Sequence, residues 1–194
     1  MTDRASSSAH GAAPRPGDTR DRLVRAAAAE FNASGFAGTD SNRIARRAGF
    51  APQTFYRWFK DKTAIFIAVY ENWERSERAT LEQLIAEGAP TERLVDAVLS
   101  HHREFRVFRR ALRALAIEDP AVRAARTESR RRQIAQIKQW AGRAAINDGD
   151  IATGLLQSER LADALVEGEM ADLGLGEDSA RRALASVIER LLAP

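Results

Sequence analysis

Apolar residues recur along this chain at three- and four-residue intervals, and the strict alternation of a β-strand is almost absent. The first helix is predicted to begin at Asp18 or Thr19 as its cap and to run to Ser34, with Leu23, Ala27 and Phe31 on one face. Gly35 follows, where a left-handed helix end favours glycine. A second, short helix is predicted over 41–48, with Thr39 or Asp40 able to cap it. Gly49 breaks it, and Pro52 suits the first turn of a third helix ending near Phe59. A long fourth helix, 62–86, carries the stripe Phe66, Tyr70, Trp73, Leu81 and Leu84 and ends at "EGAP". Further helices are predicted at 91–104, 105–118, 120–145, 151–173 and 177–192, punctuated by "EDP", "INDGD" and "GLGED". The pattern is all-α, with about nine helices: a three-helix N-terminal unit, then a larger helical bundle joined through the fourth helix. Its divisions are a polar, Pro/Gly-rich tail expected to be disordered (1–17), a small domain (18–61) and a body (62–194).

The second and third predicted helices are joined by a tight turn. Ile44, Ala48, Phe50, Phe55 and Trp58 are the apolar positions that would hold two crossed helices against a third. Ala45 is small enough for a close crossing, and Gly49 supplies the positive φ of the turn. With Phe55, Trp58 and Phe59 turned inward, Gln53, Thr54, Tyr56 and Arg57 face outward. Gln and Arg bond base edges in two-pronged fashion, and Thr offers a methyl group to thymine. Tyr56 and Lys62 suit phosphates. A helical hairpin with a glycine turn also occurs as a plain packing unit, and surface helices are polar in any case. Charge changes the balance. Residues 18–62 hold nine basic against five acidic side chains, whereas the chain as a whole carries only +3. One basic end on a mildly acidic body is the distribution of a protein that meets a polyanion at that end.

The stretch "TDSNRIARRAGFAPQTFYRWFKDKTAIF", preceded by "AAAAEFNASGFAGT", resembles the DNA-binding domain of the TetR family of bacterial transcriptional regulators. The resemblance rests on Phe31, Gly35-Phe36, Thr39, Ile44-Ala45, Ala48-Gly49, Thr54-Phe55-Tyr56, Phe59 and Lys62, and covers about residues 18–67. It implies a homodimer that reads a palindromic double-stranded DNA operator, and a body that binds a small-molecule effector. Carried over by position, the implied DNA contacts are Ser41, Asn42, Pro52, Gln53, Thr54, Tyr56, Arg57 and Lys62, with Gln53 and Arg57 as the base readers. Ala51 stands where the family often has Ser, Ser41 where an aliphatic is more usual, and Trp58 where His or Tyr is common.

In the body, Leu155, Leu161, Leu165 and Met170 line one predicted helix, and Ala180, Leu184, Val187 and Leu191 line the next. The family's dimer is built from its last two long helices, which makes these residues the expected seam; ordinary intrachain core is the other reading of the same stripe. Phe66, Tyr70, Trp73, His101, Phe105, Phe108 and Trp140 are candidates to line a pocket for an apolar or aromatic effector, although aromatics at helical spacing also serve as core. "ESRRRQ" reads as a solvated helix face. No cysteine, metal-ligand set, phosphate-cradling loop or nucleophile motif is present, so no cofactor, metal or catalytic residue is expected, and no enzyme. No apolar run reaches the ~18 residues of a membrane span, and the expected location is the cytoplasm. The expected function is that of a ligand-released repressor; repression or activation depends on where the operator lies relative to a promoter. The alternative is a DNA-binding protein whose body docks a protein partner and holds no internal cavity.

Overall fold

The computed structural model describes residues 16–142 and 147–193, and the described residues form ten helices and no strand. In chain order they are α1 (Pro16–Ser34), α2 (Ser41–Arg47), α3 (Pro52–Tyr56), α4 (Lys62–Ala86) and α5 (Thr91–Glu104). They continue with α6 (Arg106–Glu118), α7 (Pro120–Trp140), α8 (Asp148–Glu167), α9 (Glu169–Asp172) and α10 (Asp178–Leu192). The expected tail lies outside the described residues as far as Arg15, and Pro16 and Gly17 already belong to α1. Asp18 therefore sits in the first turn, where a carboxylate favours the helix dipole, and is not the cap.

Three other boundaries differ from the sequence reading. The third helix stops at Tyr56 instead of running to Phe59. The eighth starts at Asp148 because Asn147 caps it, its side chain accepting from the Gly149 amide at 2.7 Å, and Asp148 and Asp150 suit the positive end. It then ends at Gly168, whose φ of +84° divides the predicted 151–173 helix into α8 and α9.

The first core runs through both halves of the chain. Phe31 from α1, Phe55 from α3, Phe66 from α4 and Phe108 from α6 are fully buried together with Leu23, Ile44 and Ile65. Their rings meet directly: Phe31 and Phe66 edge to face at 5.1 Å, Phe66 and Phe108 at 4.6 Å. Each such side chain contributes about 1.5–3 kcal/mol by burial. Phe66 and Phe108 thus fix α4 between the N-terminal unit and α6. Phe105 packs beside them, half-buried.

The second and third cores join α8 and α10 to α5 and α7, and they absorb the residues expected at a dimer seam. Leu165, Ala180, Leu184, Val187 and Leu191 are buried within one chain, with Leu155, Leu161 and Met170 half-buried against them. The intrachain alternative describes this stripe, because α8 and α10 spend their strongest apolar faces on each other. Their close approach occurs at Gly154, where a Cβ would lie 2.8 Å from Leu191, and not at Gly168. The outer faces of the pair carry Leu156, Gln157 and Arg160 on α8 and Ala183, Ser186 and Arg190 on α10, all exposed.

Candidate nucleic-acid interface and effector cavity

The α2–turn–α3 unit is locked from several sides. Asp40 caps α2 by accepting from the Arg43 amide at 2.8 Å, and this backbone hydrogen bond holds its carboxyl below the usual range. Gly49 turns the chain with φ +78°. Arg22 of α1 reaches over the turn, donating to the Ala48 carbonyl at 2.8 Å and lying over the Phe50 ring at 4.5 Å. Glu30 pairs with Arg43 at 3.1 Å and Arg47 at 3.0 Å, tying α2 to α1. Ala51 begins α3 with no side-chain cap, and Pro52 fits the first helical position, where its missing amide costs nothing.

This frame sorts the expected contact residues. Asn42, Gln53 and Arg57 are exposed, and none has a side-chain hydrogen-bond or ion-pair partner among the described residues. Pro52 and Thr54 are half-buried at the start of α3. Ser41 and Tyr56 bond to one another through their hydroxyls at 2.8 Å, bridging the start of α2 to α3. Tyr56 nevertheless leaves most of its surface in solvent. Lys62 is placed differently from the reading that gave it to phosphate. Its ammonium donates to the carbonyls of Phe36 at 2.7 Å and Thr39 at 2.9 Å and stands 4.1 Å from the centre of the Phe36 ring. It fastens α4 to the loop before α2. Trp58, expected inward, is exposed, because α3 ends before it and only Phe55 and Phe59 reach the core. Arg46 was not singled out from the sequence; it is exposed on α2 with no hydrogen-bond or ion-pair partner among the described residues.

Behind this head, α4, α5, α7, α8 and α10 line a partly open cavity of about 140 Å³. Of the residues proposed from the sequence for an effector pocket, Tyr70, Trp73 and Trp140 line this cavity. Phe66, Phe105 and Phe108 do not, because they belong to the first core. His101 stacks on Trp73 at 5.0 Å and faces a separate cleft with Glu77 and Glu104. The far wall is aliphatic, with Leu81, Ile85, Leu94, Val98, Ile188 and Leu192.

The near wall is an ionic cluster that sequence reasoning missed. Glu159, Asp163 and Glu167 project from one face of α8 at four-residue spacing. Asp163 accepts from Arg109 Nε at 2.7 Å, from His102 Nδ1 at 3.0 Å and from Arg113. Glu159 takes Arg109, Arg126 and Arg130, while Glu167 takes Arg110 and Arg113. On its other side His102 Nε2 lies 3.5 Å from Glu77 of α4. Burial alone would lower the His102 pKa, but its bonds to Asp163 and Glu77 raise it above the ordinary value. Burial would likewise raise Asp163, and the bonds from His102 and Arg109 hold it far below the usual carboxylate range. The one advance signal was the four-residue spacing of three carboxylates on one face of the helix.

Free polar side chains on a locked helical hairpin, set on a basic end, are the arrangement of a helix-turn-helix. Residues 23–69 match the family model for bacterial regulatory proteins of the tetR family. The uncharacterized HTH-type transcriptional regulator YdgC of Bacillus subtilis is 36% identical over 83 residues, which span 42% of this chain and 43% of that protein. A solved structure from Mesorhizobium loti, described as a TetR-family transcriptional regulator, superposes with TM-score 0.66 at 20% identity, over 93% of this chain and 98% of the other. A transcriptional regulator from Saccharomonospora viridis, solved in complex with choline, superposes with TM-score 0.63 at 14% identity, over 89% and 96%. Residues 23–69 thus match the family's N-terminal DNA-binding region, and the described chain shares the fold of these solved regulators. No described helix is long and apolar enough to cross a membrane.

Proposed function

We propose that the protein is a homodimeric cytoplasmic repressor that reads a palindromic operator and releases it when a small, largely apolar molecule enters the body. Residues 18–61 act as the reading head and 62–194 as the sensing and dimerising body. Gln53 and Arg57 read base edges, Asn42 and Arg46 approach the backbone, and Ser41, Thr54 and Tyr56 set the angle of α3. Two heads on a two-fold axis would reach successive major grooves about 34–36 Å apart.

The observation that carries the ligand reading is the cavity, one wall of which is α4, the helix whose first turn is fastened beside the head. A body that only docked a protein would have no use for an internal space against that helix. The choline complex of a protein with the same fold supports a small-molecule effector in general terms. The outer faces of α8 and α10, continuous and unfilled by the rest of the chain, suit the two-fold interface.

Selection of bound sequences from a random duplex library tests the DNA reading. A palindromic motif is expected. Arg57→Ala and Gln53→Ala are each expected to cost about 1–3 kcal/mol and to relax preference at particular positions. Recovery of no motif, or unchanged preference in both variants, would overturn it.

A further inference from the structure

The cavity wall has a surplus of hydrogen-bond donors. Trp73 and Trp140 both line it, and the indole N–H of each is buried with no acceptor among the described residues. Trp73 is 4% exposed, so solvent does not supply one. Arg78, also on the wall, has neither a hydrogen-bond nor an ion-pair partner among the described residues. The carboxylates of the same wall are already engaged. Glu159 holds Arg126 at 2.7 Å and Arg109 at 3.2 Å, Glu74 holds Arg132 at 2.8 Å, and Glu77 faces His102. A buried donor without a partner is costly, whereas an engaged carboxylate has little left to offer a cation.

The aromatic surface points the same way. A cage for a quaternary ammonium needs open ring faces. The Trp73 ring is stacked by His101 and lies under the Arg109 guanidinium at 4.7 Å, so its π-surface already serves a cation. A cationic ligand would also meet the unpaired charge of Arg78. The size of the space sets the body of the ligand, since a cavity near 140 Å³ is on the scale of one that takes a benzene-sized molecule.

We propose that the ligand of this cavity is a monocarboxylic acid with an apolar body of about the size of a benzene ring, its carboxylate answering Arg78. The apolar body lies against Leu81, Ile85, Leu94 and Val98. The indoles of Trp73 and Trp140 are the remaining donors, for the carboxylate oxygen that Arg78 leaves free. This inference rests on the proposed reading of the cavity as the effector site.

The test is calorimetric titration of the full chain with phenylacetate and hexanoate, against phenylacetamide, hexanamide and choline, with operator release followed separately. The acids are expected to bind at least ten-fold more tightly than their amides, a difference in line with a charge-assisted hydrogen bond. Arg78→Gln is expected to abolish that difference, and Trp140→Phe to weaken the acids a few-fold while preserving their preference over amides. Thermal melts establish that both variants fold. Amides or choline binding as well as the acids, no binding by any probe, or undiminished acid preference in Arg78→Gln would overturn the inference. Acids that bind without releasing operator would leave it standing and sink the ligand-release reading instead. Release by choline or an amide would do the reverse.

Discussion

Replacing Asp163 by alanine removes the acceptor on which three cationic side chains converge. Asp163 and Arg109 are 3% and 2% exposed, and Arg109 would keep only Glu159, at 3.2 Å, to balance its charge. His102 would lose its shorter partner, at 3.0 Å, and retain Glu77 at 3.5 Å. Removing one member of a buried ion pair costs roughly 3–5 kcal/mol, because the other charge is left in a poorly solvating place. In a chain of 194 residues each kcal/mol moves the midpoint by about 2–4 °C, so Tm should fall by roughly 6–20 °C. Urea unfolding at fixed protein concentration and pH 7 is the assay, with an unchanged slope showing that stability and not cooperativity has changed. The double variant R109M/D163L places apolar groups on both sides and should lose less than D163A alone. A loss below about 1 kcal/mol in D163A, or strictly additive effects of R109M and D163L, would refute the account of a buried, mutually dependent pair.

Lys62→Met should cost about 2 kcal/mol of stability, since two carbonyls lose a charged donor, while the salt dependence of operator binding stays within one counterion of wild type. A slope lower by one full counterion with stability unchanged would return Lys62 to the phosphates. The raised pKa of His102 means that its bonds stabilise the fold fully below its ordinary 6.5 and that this contribution is lost as pH rises through the folded value. The urea midpoint of wild type should therefore fall between pH 6 and pH 9 more than that of His102→Gln; parallel profiles would refute the assignment. Leu156→Arg, on the outer face of α8, should yield a folded monomer by sedimentation, whereas Leu184→Arg, at a fully buried position, should unfold the chain. A Leu156→Arg protein that remains dimeric would move the interface elsewhere.

Local signals read well from the sequence, and partnerships across the chain did not. The bounds of α4 and α5 are those the sequence predicts, because Asp61 caps one and Gly88 and Pro90 separate the two within a few residues. Periodicity also identified the apolar stripes of α8 and α10, but a stripe does not state which neighbour covers it. Leu184 and Val187 are as suitable for a second copy as for α8, and the structure gives them to α8. The same ambiguity separated Tyr70 and Trp73, which reach the cavity, from Phe66, one turn before on the same helix, which does not. The anchoring bonds of Lys62 were not legible because its acceptors are backbone carbonyls, which carry no sequence signature. Arg22 acts on a turn 26 residues away, again through a carbonyl.

The cavity and the ionic cluster share α4, and this sharing bears on how a bound molecule would be felt at the head. Twenty-five residues make α4 a rod of about 37 Å. Lys62 fixes its start to the loop before α2, and Thr63 bonds Asp119 at 3.2 Å, so the first turn moves only with the head and the α6–α7 corner. From Tyr70 to Ile85 the same rod is cavity wall. Across that span it is held to α8 by the chain Glu77–His102–Asp163, whose links are unequal. Asp163 is gripped at 2.7 and 3.0 Å, while Glu77 to His102, at 3.5 Å, is the longest ion pair of the cluster. A ligand that displaces α4 from α8 would therefore extend the Glu77–His102 link before it disturbs the α8 ladder. The work required is small. A hundred-fold loss of operator affinity needs about 2.8 kcal/mol of differential ligand binding, comparable to the strength of one charge-assisted hydrogen bond.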